Sequence, residues 1–385
     1  MNKIEKQGII YLVNQKENTA NVIGSEPNLS EIIIPRSINY ESQEYIITKI
    51  SENAFKRSKI NSVCFASDSE LQIIDKFAFE HSTIQYISIP PTVTFIGKCS
   101  FSYCEQLQVF KIPPNSQLEI IESLAFCLTS FRDFKIPSTV TSIGEKAFIS
   151  CEQLLNFEIP EDSRLNKINV CTFSKSSLKQ ITIPSSITFI AENAFDNCTL
   201  LSRVNFSKNS TLRTIGKLAF TFCNIKYIKI PSSVVIIKDG AFYSCKKLER
   251  IDFPENSKLR EIGKEAFNES GIRRIKIPAN VSIINKQTFA NCQKLERIDF
   301  PIDSKLHEFN LDAINNSSIV SFCLPPNASI IYLRYLTCKN LLIIELNELP
   351  PFNDIFYDCP KALFMVNYIP KKEDNSIIYF TKIRK

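Results

Sequence analysis

The segment Ile183–Phe206, IPSSITFIAENAFDNCTLLSRVNF, is followed 47 residues later by a near copy, Ile230–Phe253, IPSSVVIIKDGAFYSCKKLERIDF. Both segments contain Ile-Pro-Ser-Ser, an Ala-Phe pair, a cysteine three residues after that phenylalanine, and a final phenylalanine. Self-similarity at a period of about 20–50 residues is the signature of a solenoid or another repeat architecture. The repeat therefore decides the fold class before any single motif is considered.

The same pattern extends through most of the 385 residues. Its anchoring positions are Phe55, Phe79, Phe101, Phe126, Phe148, Phe173, Phe195, Phe220, Phe242, Phe267, Phe289, Ile314 and Leu336. From Phe79 onward the steps between them alternate between 22 and 25 residues. A solenoid needs its first and last apolar layers covered. We therefore predict about 13 repeats in residues 50–346, an N-terminal cap in residues 1–49 (a hairpin plus a first strand), and a C-terminal cap and tail in residues 347–385.

One repeat shows how each coil is built. In Ile225–Pro231, IKYIKIP, the isoleucines are predicted to face inward, while Tyr227 and Lys229 face outward, which is typical of a half-buried strand. The proline ends the strand because it has no N–H to donate. We predict a mostly β fold with one parallel sheet on the concave face. The convex return is predicted to be extended and then to form a short helical or 3₁₀ turn.

Charge and hydropathy exclude several classes of partner. The net charge is +6, with 46 basic and 40 acidic residues interspersed, so no basic block suited to nucleic acid is present. The first residues contain no apolar run of signal-peptide length, and the most apolar window, residues 341–346, is too short to span a bilayer. The sequence by itself thus indicates a cytoplasmic protein without a membrane span.

The 13 cysteines favour the same compartment. Five of them recur every 47 residues, namely Cys104, Cys151, Cys198, Cys245 and Cys292. A cysteine at one fixed repeat position is best interpreted as a small, buried and reduced core residue, not as half of a disulfide. Buried, reduced cysteines are typical of a reducing compartment.

Catalytic chemistry is not predicted. The two histidines, His81 and His307, occupy unrelated repeat positions, so neither a Cys–His nucleophile nor a Cys/His metal site is expected. The eight glycines do not cluster into a phosphate-binding loop. Asp252 and Asp299 are repeat-periodic outward residues rather than a converging acid–base pair. We predict no catalytic residues, no cofactor and no metal.

The outward positions of the strands form the candidate partner-binding strip. Its members are Arg203, Tyr227, Lys229, Arg250, Asp252, Arg274, Lys276, Arg297 and Asp299. Adjacent parallel strands lie about 5 Å apart, which places Asp252 between Lys229 and Lys276. One interpretation is a solvated ladder of alternating charge that keeps the sheet soluble. The other is an arginine-lined surface for an acidic protein segment or a glycan, because Arg and Tyr are enriched at recognition hot spots.

The repeat unit L-x-x-I-x-I-P-x-x-V-x-x-I-G-x-x-A-F-x-x-C-x-x-L resembles the BspA-like leucine-rich repeat. It occurs here as Leu295…Ile298…Phe300-Pro301 and as Val140…Ile143-Gly144…Ala147-Phe148…Cys151…Leu154, and the resemblance covers residues 30–350. It implies a right-handed leucine-rich-repeat solenoid with a non-enzymatic binding role. Members of this family are surface antigens and adhesins, so the resemblance implies the cell surface and an extracellular-matrix or host protein as partner.

Two functional hypotheses remain open at this stage. The first is an interaction module that binds protein or glycan through the concave strand face, as a surface adhesin does. The alternative is an intracellular leucine-rich-repeat scaffold that binds cytoplasmic partners. Both hypotheses expect a monomer, and neither involves nucleic acid.

Overall fold

The structure is a computed structural model that describes residues 2–331, 337–338, 340, 343–346, 363–366 and 379–382. The chain is a β-solenoid of about 14 turns with parallel sheets, which confirms the predicted repeat solenoid. Its residues divide into two compact units. Unit 1 comprises Met1–Ile187 and Ala194–Leu200, and unit 2 comprises Thr188–Asn193 and Leu201–Lys385.

Unit 1 contains seventeen strands: β1 (Asn2–Lys6), β2 (Ile9–Asn14), β3 (Thr19–Ser25), β4 (Glu31–Ile34), β5 (Ser37–Tyr40), β6 (Gln43–Ile50), β7 (Ser62–Phe65), β8 (Ile73–Ile74), β9 (Tyr86–Ser88), β10 (Phe95–Ile96), β11 (Val109–Lys111), β12 (Ile120–Ile121), β13 (Asp133–Lys135), β14 (Ser142–Ile143), β15 (Asn156–Glu158), β16 (Lys167–Ile168) and β17 (Gln180–Ile183). One sheet has the order β1-β2-β3-β6-β8-β10-β12-β14, with β5 paired to β6. On the other side of the coils, β4, β7, β9 and β11 form one parallel ladder, and β13, β15 and β17 form another.

The described part of unit 2 contains the strands β18 (Phe189–Ile190), β19 (Arg203–Phe206), β20 (Thr214–Ile215), β21 (Tyr227–Lys229), β22 (Ile236–Ile237), β23 (Arg250–Asp252), β24 (Glu261–Ile262), β25 (Arg274–Lys276), β26 (Ile283–Ile284), β27 (Arg297–Asp299), β28 (Glu308–Asn310), β29 (Ser321–Cys323), β30 (Ser329–Ile331), β31 (Ile343–Leu346), β32 (Leu363–Val366) and β33 (Tyr379–Lys382). A 3₁₀ helix, η1 (Leu311–Ile314), follows β28. The even-numbered strands β18 to β30 form one parallel ladder, and β21-β23 and β25-β27-β29-β31-β32-β33 form the facing ladders.

Each coil thus contributes to two parallel ladders, whereas the sequence predicts a single sheet. The second ladder consists of two-residue strands on the return side, such as β8, β10, β12 and β14. Their second residues, Ile74, Ile96, Ile121 and Ile143, are in register and buried. A return of only two extended residues is too short for its alternation to be recognised in the sequence, although it suffices to hydrogen-bond adjacent coils.

The Ala-Phe turn also differs from the prediction of a helical or 3₁₀ segment. Within the described residues, η1 is the only such helix, and elsewhere the turns contain residues with positive φ on both sides of Ala-Phe. Lys146 (φ 58°) and Ser150 (φ 55°) are one such pair. The N–H groups of Lys146, Phe148 and Ser150 donate to carbonyls 24 residues later, at 2.8–2.9 Å. The alternating backbone therefore turns these N–H groups toward the next coil instead of back into a helical turn.

Stacked phenylalanines fill the core, as the repeat predicts. In unit 1 the ring centroids of Phe126, Phe148 and Phe173 are 5.3 and 5.7 Å apart along the stack. In unit 2 the rings of Phe242 and Phe267 are 5.5 Å apart. These rings are at most 1% exposed, and burial of so large an apolar surface is the main source of stability.

The cysteine column is buried as predicted, and it also forms hydrogen bonds. Each thiol donates to the carbonyl of the anchoring phenylalanine 25 residues earlier, for example Cys151 to Phe126 at 3.0 Å and Cys245 to Phe220 at 3.0 Å. In most of these coils a Ser or Thr hydroxyl contacts the sulfur, as Thr129 does for Cys151 at 3.3 Å. Burial raises the pKa of the Cys151 thiol to about 12. The column therefore consists of neutral thiols that give a second hydrogen bond to carbonyls that already accept one, as the Phe126 carbonyl accepts from Thr129 at 2.9 Å.

The two ends of the chain are described unequally. Residues 2–50 form antiparallel pairs, β1 with β2, β2 with β3 and β5 with β6, ahead of the repeats. Near the other end, β32 and β33 pair antiparallel. The division into caps at 1–49 and 347–385 stays a prediction. Leu336, and residues 347–362, 367–378 and 383–385 of the predicted C-terminal cap, lie outside the described residues.

Candidate functional site

The predicted strip lies on the exposed side of the longer strands of unit 2. In β21, β23, β25 and β27 the central isoleucine is buried and the residues on either side point outward. Parallel pairing sets Tyr227 beside Arg250 and Lys229 beside Asp252. The next pair of strands repeats the arrangement, with Lys276 beside Asp299. Strand alternation and coil register together gather side chains that are 23 or more residues apart in the chain.

Asp252 is the centre of a three-residue cluster. Nε and Nη2 of Arg250 donate to its two carboxylate oxygens, both at 2.8 Å. The hydroxyl of Tyr227, in the preceding coil, donates to Oδ2 at 3.0 Å. The Arg250 guanidinium also lies over the Tyr227 ring, 5.6 Å from its centroid. The Arg250 side chain is 70% exposed, and the two-pronged carboxylate contact with the nearby ring favours one of its geometries.

The electrostatics of this cluster follow from these contacts. Partial burial opposes ionisation of Asp252, but hydrogen bonds from Arg250 and Tyr227 outweigh it, so the pKa of the carboxyl is lowered from its usual value. Burial and the hydrogen bond to Asp252 raise the pKa of Tyr227. Asp252 is therefore an ionised acceptor, and Tyr227 remains a protonated donor.

The other strip residues form weaker contacts. Arg297 donates to Asp299 within the same strand, as Arg250 does to Asp252. Arg274 is 3.6 Å from Glu296 and is 71% exposed, so this pair contributes little. Arg203, in β19, is exposed and lies one coil before Tyr227.

Lys229 and Lys276 depart from the expected charge ladder. Both are exposed, and neither has a carboxylate oxygen within 4.0 Å of its ammonium among the residues that the structure describes. Although Asp252 is in register with Lys229, its two oxygens are already occupied by Arg250 and Tyr227. Asp252 thus forms its ion pair within its own strand, and the preceding coil gives it a hydrogen bond from Tyr227 instead of an ion pair with Lys229.

Two shallow depressions follow the strip. One, of about 500 Å³, is lined by residues that include Arg203, Tyr227 and Lys229. The other, of about 680 Å³, is lined by residues that include Arg250 and Arg274. Open, shallow surfaces of this kind are typical of macromolecular recognition, whereas small-molecule sites are usually enclosed clefts.

Sequence reasoning missed the residues that precede the outward positions. Lys226 and Arg273 are exposed in the cationic coils, and Glu249 and Glu296 take the same place in the other two. Glu249 forms an ion pair with Lys294, with 3.5 Å between the carboxylate oxygen and the ammonium nitrogen. The signal was present, because the segment Leu-Glu-Arg-Ile-Asp occurs identically at 248–252 and 295–299.

No other chemistry is indicated in the described part of the chain. It contains no group of three or more His, Cys, Asp or Glu side chains placed to hold a metal ion. Within the same residues, no helix has the length and apolar character required to cross a membrane.

Several solved structures similar to this chain are leucine-rich-repeat or cell surface proteins. A leucine-rich repeat protein from Bacteroides ovatus is 23% identical, with a TM-score of 0.62 over 94% of this chain and 99% of that chain. A leucine rich cell surface protein from Faecalibacterium prausnitzii is 23% identical, with a TM-score of 0.58 over 93% and 98%. The pneumococcal vaccine antigen PcpA is 18% identical, with a TM-score of 0.55 over 95% and 94%. At these identities the likeness establishes the fold alone.

Comparison at the sequence level identifies the family. No functionally curated protein is significantly similar in sequence to this chain. Residues 25–127, 119–234 and 213–342 each match the BspA type leucine rich repeat region (6 copies). These matches cover most of the chain, and they include the Ala-Phe turns, the thiol column and the exposed strip. The chain belongs to the BspA type leucine-rich-repeat family, as its repeat motif predicts.

Proposed function

We propose that this protein is a non-enzymatic interaction module that binds an anionic segment of a protein partner through the exposed strand face of unit 2. The observation that carries the proposal is the Arg250–Asp252–Tyr227 cluster with exposed cationic side chains in the coils on both sides. Membership of a leucine-rich-repeat family supports a role in protein binding and gives no reason to expect catalysis.

The physical support lies in the cost of ordering an interface. Immobilising a flexible side chain on binding costs about 0.5–1.5 kcal/mol. The contacts of Arg250 with Asp252 and Tyr227 already restrict it in the unbound protein. An Arg and a Tyr with contacts already in place, beside exposed lysines, combine an anchor with long-range attraction for an anionic partner. A glycan that presents the same charges is the other ligand class that the strip fits.

The test uses a charge reversal and a matched control. The double variant Arg250→Glu and Arg274→Glu reverses the strip. The control is the double variant Lys238→Glu and Lys264→Glu, which reverses the same number of charges at positions just after the return strands β22 and β24. On an array of acidic peptides and anionic glycans, the wild type and the control are expected to bind the same anionic ligands, and the strip variant is expected to lose them. Equal binding by all three proteins would exclude this face as the site.

The setting of this activity is proposed separately. Two structural relatives are described as a cell surface protein and a vaccine antigen, which supports display on the cell surface and adhesion to host or matrix proteins. The alternative is an intracellular scaffold, which the column of neutral buried thiols favours. Labelling intact cells with a membrane-impermeant reagent distinguishes the two, since only a displayed protein is tagged. In either setting we expect a monomer.

A further inference from the structure

The charges on the proposed binding face alternate from coil to coil. The outward residues of the β21 coil are Lys226, Tyr227 and Lys229, without a carboxylate among them. The β23 coil that follows presents Glu249, Arg250 and Asp252. The same alternation then repeats once.

In the second half of the pattern, the β25 coil presents Arg273, Arg274 and Lys276, again without a carboxylate. The β27 coil presents Glu296 and Asp299 with Arg297 between them in sequence. Attraction for an anion is therefore concentrated on every second coil, and the coils between carry two carboxylates each.

The spacing of the attractive coils follows from the sheet. Neighbouring parallel strands are about 4.8 Å apart, so two coils advance about 9.6 Å along the face. Lys229 and Lys276 are 47 residues apart and occupy the same position in coils separated by this distance. Both ammonium groups lack a carboxylate partner within 4.0 Å among the described residues.

Among regular peptide conformations, the polyproline II helix matches this spacing best. It has three residues per turn and a rise of about 3.1 Å, so every third side chain faces the same way at intervals of about 9.3 Å. In an extended strand, side chains on one face recur at about 6.8 Å. In an α-helix, the residue two turns away lies about 10.5 Å along the axis.

The intervening carboxylates disfavour a densely charged ligand. A block of adjacent acids, or a uniformly charged polyanion, would place negative charge opposite Asp252 and Glu249 as well as opposite the lysines. Like charges brought together at an interface reduce binding and so contribute specificity. A segment with two neutral residues between successive acids avoids this repulsion.

We infer that the strand face from β21 to β25 binds an extended, polyproline II segment of a protein partner that carries an acidic side chain at every third residue. Lys229 and Lys276 each contact one acid, and Asp252 selects against acids placed between them. This inference rests on the proposed function and adds the spacing and conformation of the ligand.

The test compares two peptides of identical composition by fluorescence anisotropy. One is (Glu-Pro-Pro)₄ labelled with fluorescein, and the other contains the same four glutamates in one block followed by eight prolines. We expect the spaced peptide to bind more tightly, by about fivefold. Lys229→Ala and Lys276→Ala are each expected to weaken its binding about two- to fivefold, the usual range for one exposed ion pair. The control Lys238→Ala with Lys264→Ala lies on the return side and is expected to leave the affinity unchanged.

A second variant tests the selectivity. Asp252→Asn with Asp299→Asn removes one of the two carboxylates from each of the β23 and β27 coils, leaves Glu249 and Glu296 in place, and keeps the size of the side chains. It is expected to improve binding of the block peptide more than that of the spaced peptide, so the preference between the two shrinks.

The outcomes separate the inference from the proposed function. If both peptides bind equally and both depend on Lys229 and Lys276, the face binds anions without regard to spacing, and only the inference fails. If a sulfated glycan binds through the same lysines more tightly than either peptide, the ligand class inferred here is wrong. If no anionic ligand depends on these lysines, the proposed function fails as well.

Discussion

Alkaline pH is expected to destabilise this protein through its buried thiols. Burial raises the pKa of Cys104, Cys151, Cys198 and Cys245 from 9.0 to about 12, and that of Cys292 to about 11. A group whose pKa is raised on folding contributes stability that is fully present below its unfolded pKa and is lost as the pH rises toward its folded pKa. The affected window therefore begins near pH 9 and extends to about pH 11–12.

The magnitude follows from proton linkage. One thiol that stays protonated in the folded state and ionises in the unfolded state lowers the free energy of unfolding by about 1.4 kcal/mol per pH unit above pH 9. At pH 10 the five thiols together remove about 7 kcal/mol, which is comparable to the whole stability of an ordinary domain. The column is therefore expected to set the alkaline limit of the fold.

The assay is urea denaturation followed by circular dichroism, in reducing agent, at half-unit steps from pH 8 to pH 10.5. Cys151→Ser keeps a donor for the Phe126 carbonyl but removes the thiol ionisation. Its stability is expected to fall less steeply with pH than that of the wild type, by about 1.4 kcal/mol per pH unit. Cys64→Ser changes an exposed cysteine and is expected to leave the slope unaltered. Identical slopes for all three proteins would refute the reasoning.

Three further predictions concern the core. Phe148→Ala is expected to lower the free energy of unfolding by about 1–3 kcal/mol more than Phe242→Ala does. Both rings are fully buried, but Phe148 contacts five aromatic rings and Phe242 contacts two. Equal losses in urea denaturation would contradict this. Gly144→Ala is expected to lower the free energy of unfolding by about 1–3 kcal/mol, since the new Cβ would lie 2.2 Å from a backbone nitrogen of the preceding coil. At Gly24 the nearest atom to a new Cβ is a backbone oxygen 3.5 Å away, so Gly24→Ala is expected to be neutral in the same assay. Cys223→Ser introduces the hydroxyl that other coils carry at this position, so the thermal midpoint is expected to stay within about 2 °C of the wild type, and a large drop would show that the coils are not equivalent there.

The repeat pattern was sufficient to predict the solenoid, the phenylalanine stack and the buried cysteines. The reason is that a solenoid presents the same local environment in every coil, so a side chain that suits one coil recurs at a fixed interval. Phe195 and Phe242, or Cys198 and Cys245, show this directly in the sequence. The strand periodicity also identified which residues of the strip face outward.

The return ladder and the positive-φ turn could not be predicted in the same way. Both depend on backbone hydrogen bonds between coils, such as those donated by Lys146 and Ser150, and backbone groups are the same for every residue type. A lysine or serine at positive φ carries no special sequence signal, because the gain from inter-coil hydrogen bonds offsets the unfavourable conformation.

The sequence by itself determined the order of charges along the exposed face, since strand alternation and a constant repeat length leave no freedom in which residues point outward. Only the tertiary structure decided how those charges pair. Asp252 has cationic neighbours in its own strand and in the preceding coil, and the short reach between Arg250 and Asp252 lets two hydrogen bonds form where a lysine offers one flexible contact. That choice leaves Lys229 available to a partner, and it depends on side-chain geometry that no spacing in the sequence reveals.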